Sequence, residues 1–257
     1  MQWEKINVCV QKWMKQARKI ILEGRTKGLC VDEKTSRCDL VTNVDKFIEK
    51  FYVDRIRETF PISKILGEEG EADKGLDNFK GLLWIIDPID GTMNFVKQHD
   101  HFASMIAVCE NGIEKLGYIL DVTEDKLYWG GPECGVFCND QKVEPPKNLP
   151  LEEGLFGVGG KMLLSNYRNV QSAAKKSLGV RIYGSSGIEF IHVLTGKNVS
   201  YLSHLRPWDY AAGKILAETL GLVVKTIDEE SLDMLSSSDV LVATKNAHQG
   251  IIKLMNS

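Results

Sequence analysis

Two carboxylates three residues apart, Asp87 and Asp90, close an apolar run in residues 82–95, LLWIIDPIDGTMNF. Leu82-Leu83-Trp84-Ile85-Ile86 has the continuous apolar character of a strand buried on both faces. Pro88 fixes one dihedral and cannot extend a ladder, while Gly91 permits a tight backbone path. A rigid corner is therefore expected to hold both acids at the end of a core strand. Anions so placed raise each other's pKa, and a hard cation such as Mg²⁺, which takes carboxylate and carbonyl oxygens, resolves the conflict. Asp-Pro and Asp-Gly are also ordinary turn dipeptides, so the metal reading needs further acids in comparable corners.

Two such corners exist. Ile65-Leu66-Gly67-Glu68-Glu69-Gly70 reads as a short strand ending in acids beside glycines. In Arg206-Pro207-Trp208-Asp209-Tyr210, followed by Ala211, Ala212 and Gly213, Pro207 suits a first helical position and Asp209 the first turn. The three small residues let that helix pack closely. A surface turn and a helix-dipole contact are the plain alternatives for these acids.

The elements that must position them follow from periodicity. Ile6, Val10, Trp13, Ala17 and Ile20 mark an amphipathic helix over residues 3–22. Residues 32–45 read as a polar loop followed by a short extended piece. A second helix starts near Asp45, with Thr42 as N-cap and Asp45 as a first-turn acid, and carries Phe47, Ile48, Phe51, Tyr52 and Ile56 until Pro61. After a polar stretch at 71–81 and the central strand, residues 103–139 give an antiparallel meander with Asn111-Gly112 as a hairpin turn. The first portion is thus α+β. Prolines and charges in 141–154 predict a boundary, dividing the chain into domains 1–145 and 146–257. Beyond it, strands near 155–160, 180–184, 198–203, 222–227 and 240–245 alternate with helices, one of them spanning 165–179, which predicts an α/β second half.

Composition narrows the function classes. The 257 residues carry a net charge of −3, so no global basic field favours nucleic acid or an acidic membrane. No apolar run approaches membrane-spanning length, and the first residues lack a signal-type apolar core, so a cytoplasmic location is expected. Six cysteines, Cys9, Cys30, Cys38, Cys109, Cys134 and Cys138, are too scattered for a disulfide framework and read as reduced thiols. There is no GxxxxGK[ST] and no GxSxG, and Gly157-Val158-Gly159-Gly160 lacks the full dinucleotide fingerprint.

GEE at 67–69, WIIDPIDGTMNF at 84–95 and PWDYAAG at 207–213, with VTNVD at 41–45, closely resemble the inositol monophosphatase family. The likeness spans nearly the whole chain, and the motifs together are highly specific. It implies a five-layer αβαβα sandwich and Mg²⁺-dependent, Li⁺-sensitive hydrolysis of a small phosphorylated metabolite, in a homodimer. It implies two or three Mg²⁺ per site, one held by Glu68, Asp87 and the Ile89 carbonyl, a second by Asp87, Asp90 and Asp209, and a weaker third leaning on Glu68. Thr92 and Asp45 correspond to the family's water-activating pair, while the Gly91 and Thr92 amides would hold phosphate. Gly184, Ser185 and Ser186 match its substrate-contacting segment, and Lys34 falls in a mobile loop over the site.

One departure concerns substrate. Relatives that recognise inositol carry a Glu a few residues before Trp-Asp; here the segment is Tyr201-Leu202-Ser203-His204-Leu205-Arg206. With His204 and Arg206 adding positive potential instead, Arg206 and Asp209 are substrate-contact candidates and a broadened, more anionic substrate range is expected. NADP(H) 2′-phosphatase and fructose-1,6-bisphosphatase activities are the alternatives in the same class. A non-catalytic regulator associated with RNA on the same fold is the alternative of another class, and the intact acids with Thr92 and Asp45 argue against it.

Overall fold

In the computed structural model, which describes residues 2–26, 28–36 and 39–255, apolar side chains three and four apart drive the first helix onto a sheet. Helix α1 (Gln2–Gly24) buries Ile6, Val10, Trp13, Met14, Ala17 and Ile21 along one stripe. A polar hairpin, β1 (Val31–Ser36) and β2 (Asp39–Thr42), leads into α2 (Asn43–Thr59). Strands β3 (Lys64–Gly67) and β4 (Leu82–Asp90) precede a one-turn helix α3 (Thr92–Lys97). The meander follows as β5 (Ala103–Glu110), β6 (Ile113–Asp121), β7 (Lys126–Gly131), β8 (Gly135–Cys138) and β9 (Gln141–Lys142). Its strands join β3 and β4 in one seven-stranded sheet ordered β3-β4-β5-β6-β7-β8-β9, antiparallel except for β3 with β4.

The remainder comprises β10 (Leu155–Val158), α4 (Gly160–Ser165), α5 (Val170–Lys176), β11 (Gly179–Arg181) and α6 (Ser186–Leu194). Then come β12 (Ser200–Leu205), α7 (Pro207–Thr219), β13 (Val223–Thr226), β14 (Ser238–Ala243) and α8 (Lys245–Met255). The second sheet, β11-β10-β12-β14-β13, is parallel around β10 and antiparallel around β14.

Three hydrophobic cores define five layers, the αβαβα order expected. Ile6, Trp13, Ile48 and Tyr52 of α1 and α2 meet Trp84, Ile86 and Ile106 on one face of the first sheet. On its other face Leu83, Ile85, Met105 and Ile119 meet Phe190 of α6 and Tyr210 and Ile215 of α7, which also touch Tyr201 and Val242 of the second sheet. Phe156, Leu241, Ala173 and Ile251 join that sheet to α5 and α8. Strand β4 therefore alternates between two cores, which is why its sequence is continuously apolar. Trp84 is fully buried against Trp13 and Phe60, with ring centroids 6.1 and 5.4 Å away. Burying a ring of that size contributes about 1.5–3 kcal/mol and anchors the start of the acid-tipped strand.

Some expectations are corrected. Residues 32–36, expected as loop, are strand: Val31 pairs with Thr42 and Asp32 with Val41 in an antiparallel ribbon whose second strand, Asp39–Thr42, is the short extended piece expected, and backbone bonds hold it without apolar alternation. Phe47 is 58% exposed, because the buried stripe of α2 runs through Val44, Ile48, Tyr52, Val53 and Ile56. The single helix over 165–179 is interrupted where Asn166, Arg168 and Asn169 adopt left-handed φ values of 51°, 50° and 61°. Cys38 lies outside the described residues; Cys9, Cys30, Cys109, Cys134 and Cys138 are free thiols.

Candidate active site

Each acid reaches one cleft by a different local device. On a regular strand Asp87 and Asp90, three apart, would face opposite ways. Register between β4 and β5 shifts between them, Asp87 lying opposite Met105 and Asp90 opposite Ala103. Three residues of β4 therefore span two of β5. The extra residue, at Pro88-Ile89, is a bulge that turns both acids toward the middle helical layer. Gly91 follows with φ 87° and ψ 42°, and a Cβ there would fall 2.9 Å from the Ser185 Cβ. Only glycine fits both the left-handed backbone and the close approach.

The starts of α6 and α7 point at this corner. Asp90 accepts from the Ser186 amide (3.0 Å), the Ser186 hydroxyl (2.8 Å), the Gly187 amide (2.7 Å) and the Ser185 hydroxyl. The substrate-contact candidates Ser185 and Ser186 thus spend their hydroxyls on an acid across the cleft. At α7, Oδ2 of Asp209 accepts the Arg206 amide at 2.8 Å and caps the helix. Carboxylate oxygens of Asp87, Asp90 and Asp209 lie within 4.8 Å of one another. Glu68 follows β3, its amide donating to the Ile86 carbonyl at 3.3 Å, and its carboxylate accepts from Lys34 Nζ at 2.9 Å. Lys34 also reaches Glu69, so the β1–β2 hairpin lies against this side of the site.

Thr92 and Asp45 meet as the resemblance implies. The Thr92 hydroxyl lies 3.0 Å from Asp45 Oδ1 and 3.1 Å from the Ile89 carbonyl. Asp45 Oδ2 accepts the Thr42 amide at 2.9 Å and the Thr42 hydroxyl, while the Thr42 hydroxyl accepts from Val44 and Asp45 amides. The helix cap and the contact to Thr92 are therefore held by different oxygens of one carboxylate.

The electrostatics are those of crowded, buried anions. Burial, then the charges of Glu68, Asp90 and Asp209, push Asp87 well above the usual carboxylate range. Asp209 is pushed up by burial and by Asp90, and Asp90 by burial that outweighs its four hydrogen bonds. Burial also raises Asp45 against the bonds from Thr42 and Thr92. Lys34 behaves oppositely: burial opposes its charge, but Glu68 and Glu69 outweigh that and hold the ammonium above its ordinary pKa.

A cleft of about 390 Å³ opens beside Asp90 and Asp209, floored by Gly184, Ser185 and Ser186 and walled by Lys161 and His204. Arg206 is not part of this wall. Its guanidinium sits 5.7 Å over the Trp208 ring, and His204 is engaged with Asp239 at 2.7 Å. The positive potential expected from these two residues is thus partly spent elsewhere, and Lys161 supplies a cation that motif reading passed over.

The donors suit a hard divalent cation. All are carboxylate or carbonyl oxygens, and Asp87 Oδ1 is buried with no hydrogen-bond partner among the described residues. An orphaned, buried carboxylate oxygen is costly unless a cation completes it.

The sequence pattern of the inositol monophosphatase family matches residues 2–257. The chain belongs to that family. It is 40% identical over 256 residues to inositol-1-monophosphatase of Bacillus subtilis (strain 168), covering 98% of this chain and 96% of that protein. A solved IMPase/NADP phosphatase complexed with Mg²⁺ and phosphate superposes with a TM-score of 0.93 at 30% identity, over 100% of this chain and 97% of that one. A staphylococcal inositol monophosphatase-1, soaked in LiCl as an inhibitory complex, gives 0.93 at 31% identity, over 99% and 95%. The family's activity is phosphomonoester hydrolysis, and this chain is an enzyme of that type.

Two contributors escaped motif reading. Glu49 lies beneath the Glu68 corner, one helical turn beyond Asp45, and that spacing on α2 was the available signal. Asn94, inside the DPIDGTMNF segment, donates to the His101 carbonyl (2.8 Å) and the Tyr183 carbonyl (2.6 Å). It ties the corner after β4 to the loop before α6.

Proposed function

We propose that the protein hydrolyses inositol 1-phosphate and related small phosphomonoesters with bound Mg²⁺, through a water oriented by Thr92 and Asp45. The observation that carries this is the convergence of Asp87, Asp90 and Asp209 within 4.8 Å, beside a Thr92 hydroxyl 3.0 Å from Asp45. Glu68, Asp87 and the Ile89 carbonyl would hold one Mg²⁺, and Asp87, Asp90 and Asp209 a second, with room beside Glu68 for a weaker third. When bound, the ions supply Lewis-acid polarisation of phosphoryl oxygens and acidify a water.

The chain's own residues do the rest. Asp45 takes the Thr92 hydrogen, which leaves the Thr92 lone pairs to accept a proton from the attacking water. The Gly91 and Thr92 amides hold phosphate oxygens, and the water oxygen bonds to phosphorus as the ester P–O bond breaks. The departing alkoxide takes up the one proton that the attacking water gave to Thr92 and Asp45, returned by way of water in the cleft, giving free alcohol and inorganic phosphate and restoring both side chains. Gly184 and the backbone of Ser185 and Ser186 floor the alcohol subsite, with Asp209 and Lys161 at its sides. Arg206 frames that subsite from outside by fixing the start of α7. The segment Tyr201-Leu202-Ser203-His204-Leu205-Arg206 offers no carboxylate where relatives that recognise inositol carry a Glu, so alcohol recognition is looser and the substrate range broader.

No helix among the described residues is long and apolar enough to cross a membrane. We place the enzyme in the cytoplasm as a homodimer, which light scattering checks as twice the single-chain mass. Phosphate release from inositol 1-phosphate, measured with and without Mg²⁺, tests the reaction. Thr92→Ala and Asp45→Asn are each expected to lower kcat by about 10²–10⁴-fold with little change in KM. Wild-type kcat in both variants would overturn the assignment.

A further inference from the structure

Glu49 is 1% exposed, directly under the corner that carries Glu68. Its Oε2 accepts the Glu69 amide at 2.8 Å and its Oε1 the Glu71 amide at 3.0 Å. The Gly67 amide donates to the Glu71 carbonyl at 3.2 Å, closing residues 67–71 around the carboxylate. A Cβ at Gly67 would fall 2.6 Å from the Glu49 carboxyl group, so the backbone can press this close only without a side chain. Converging backbone N–H groups of this kind make a concavity that holds an anion, here a side chain of the same protein. Because Asp45 and Glu49 are four apart on α2, one helix face fixes both the Thr92 hydroxyl and the backbone on either side of Glu68.

We propose that Glu49 is a positioning residue for the divalent-cation site: its carboxylate sets the 67–71 corner so that Glu68 reaches the cleft. Glu49 itself touches neither metal nor substrate. The proposal rests on Glu68 being a metal ligand, and it distinguishes Glu49 from a residue that merely stabilises the fold or adds negative potential. Partners that orient a ligand typically matter 10–100-fold for metal affinity, about the size of effect sought.

The test is calorimetric titration of Mg²⁺ into metal-stripped wild type, Glu49→Gln, Glu49→Asp and Glu68→Gln, with melting curves of each without metal. Gln keeps the size but faces one N–H with an amide nitrogen; Asp keeps the charge but falls a methylene short of both. Both Glu49 variants are expected to bind Mg²⁺ about 10–100-fold more weakly while still folded at the assay temperature. Wild-type affinity in Glu49→Gln overturns the proposal. So does loss in Glu49→Gln with none in Glu49→Asp, which would mean charge alone matters. Should both fail to fold, Gly67→Ala, which keeps both carboxylates but crowds them apart, carries the test, and unaltered affinity there overturns it. Wild-type affinity in Glu68→Gln refutes instead the reading of Glu68 as a ligand.

Discussion

Helix α7 carries two clusters of charge, and they are built on opposite principles. At its start, Asp209 joins Asp87 and Asp90 in a group of three anions, with an oxygen of Asp87 left unpartnered. Further along, Lys214, 7% exposed, donates at 2.7 Å to both oxygens of Glu114 on β6 and at 2.8 Å to Glu218. The second cluster is satisfied by protein alone and pins α7 to the first sheet. The first is not, and its imbalance is what a structural ion network lacks and a cation site requires.

Breaking the unbalanced cluster should cost activity, and breaking the balanced one stability. Asp87→Asn or Asp209→Asn is expected to lower kcat/KM for inositol 1-phosphate by more than about 10²-fold, since even residues that only orient metal ligands matter that much. Steady-state phosphate release checks it. Lys214→Met leaves Glu114 and Glu218 facing each other without their cation. With both partly exposed, a loss of about 1–3 kcal/mol is expected in urea unfolding, with kcat/KM unchanged within about twofold. A Lys214→Met enzyme that is stable but inactive would erase the contrast.

The contrast also explains what the sequence made legible. Asp87, Asp90 and Asp209 could be read because proline and glycine mark their corners, and Asp45 because Thr42 precedes it at capping distance. Their convergence was legible only through family resemblance, since the bulge that reorients Asp87 and Asp90 depends on pairing with β5. The first strand of the β1–β2 ribbon was missed because polar ribbon strands carry no period-two apolar signal. That Arg206 stacks on Trp208 was not legible, since a side chain's direction at a helix start is not written in the motif.

Smaller effects sharpen the picture. Asn94→Ala removes two hydrogen bonds joining the corner after β4 to the α6 entry and leaves two carbonyls less satisfied. It should destabilise by about 1–3 kcal/mol and lower kcat/KM about tenfold. Glu189, behind the cleft, accepts the Tyr183 amide at 2.9 Å, and burial pushes its pKa up to about 8. Its folded form keeps a proton that the unfolded chain releases near pH 4.5. The associated stability is therefore present at low pH and lost as pH rises through the folded value. Glu189→Gln cannot titrate, so its urea midpoint should fall less than that of wild type between pH 5 and 8; equal slopes would show that Glu189 is ionised in the native protein.

Anomalous diffraction from crystals soaked in Mn²⁺ examines the acid cleft most directly. Peaks are predicted at Asp87, with one between it and Glu68 and another between it, Asp90 and Asp209. A well-occupied Mn²⁺ found only elsewhere, with these carboxylates bare, would contradict the account.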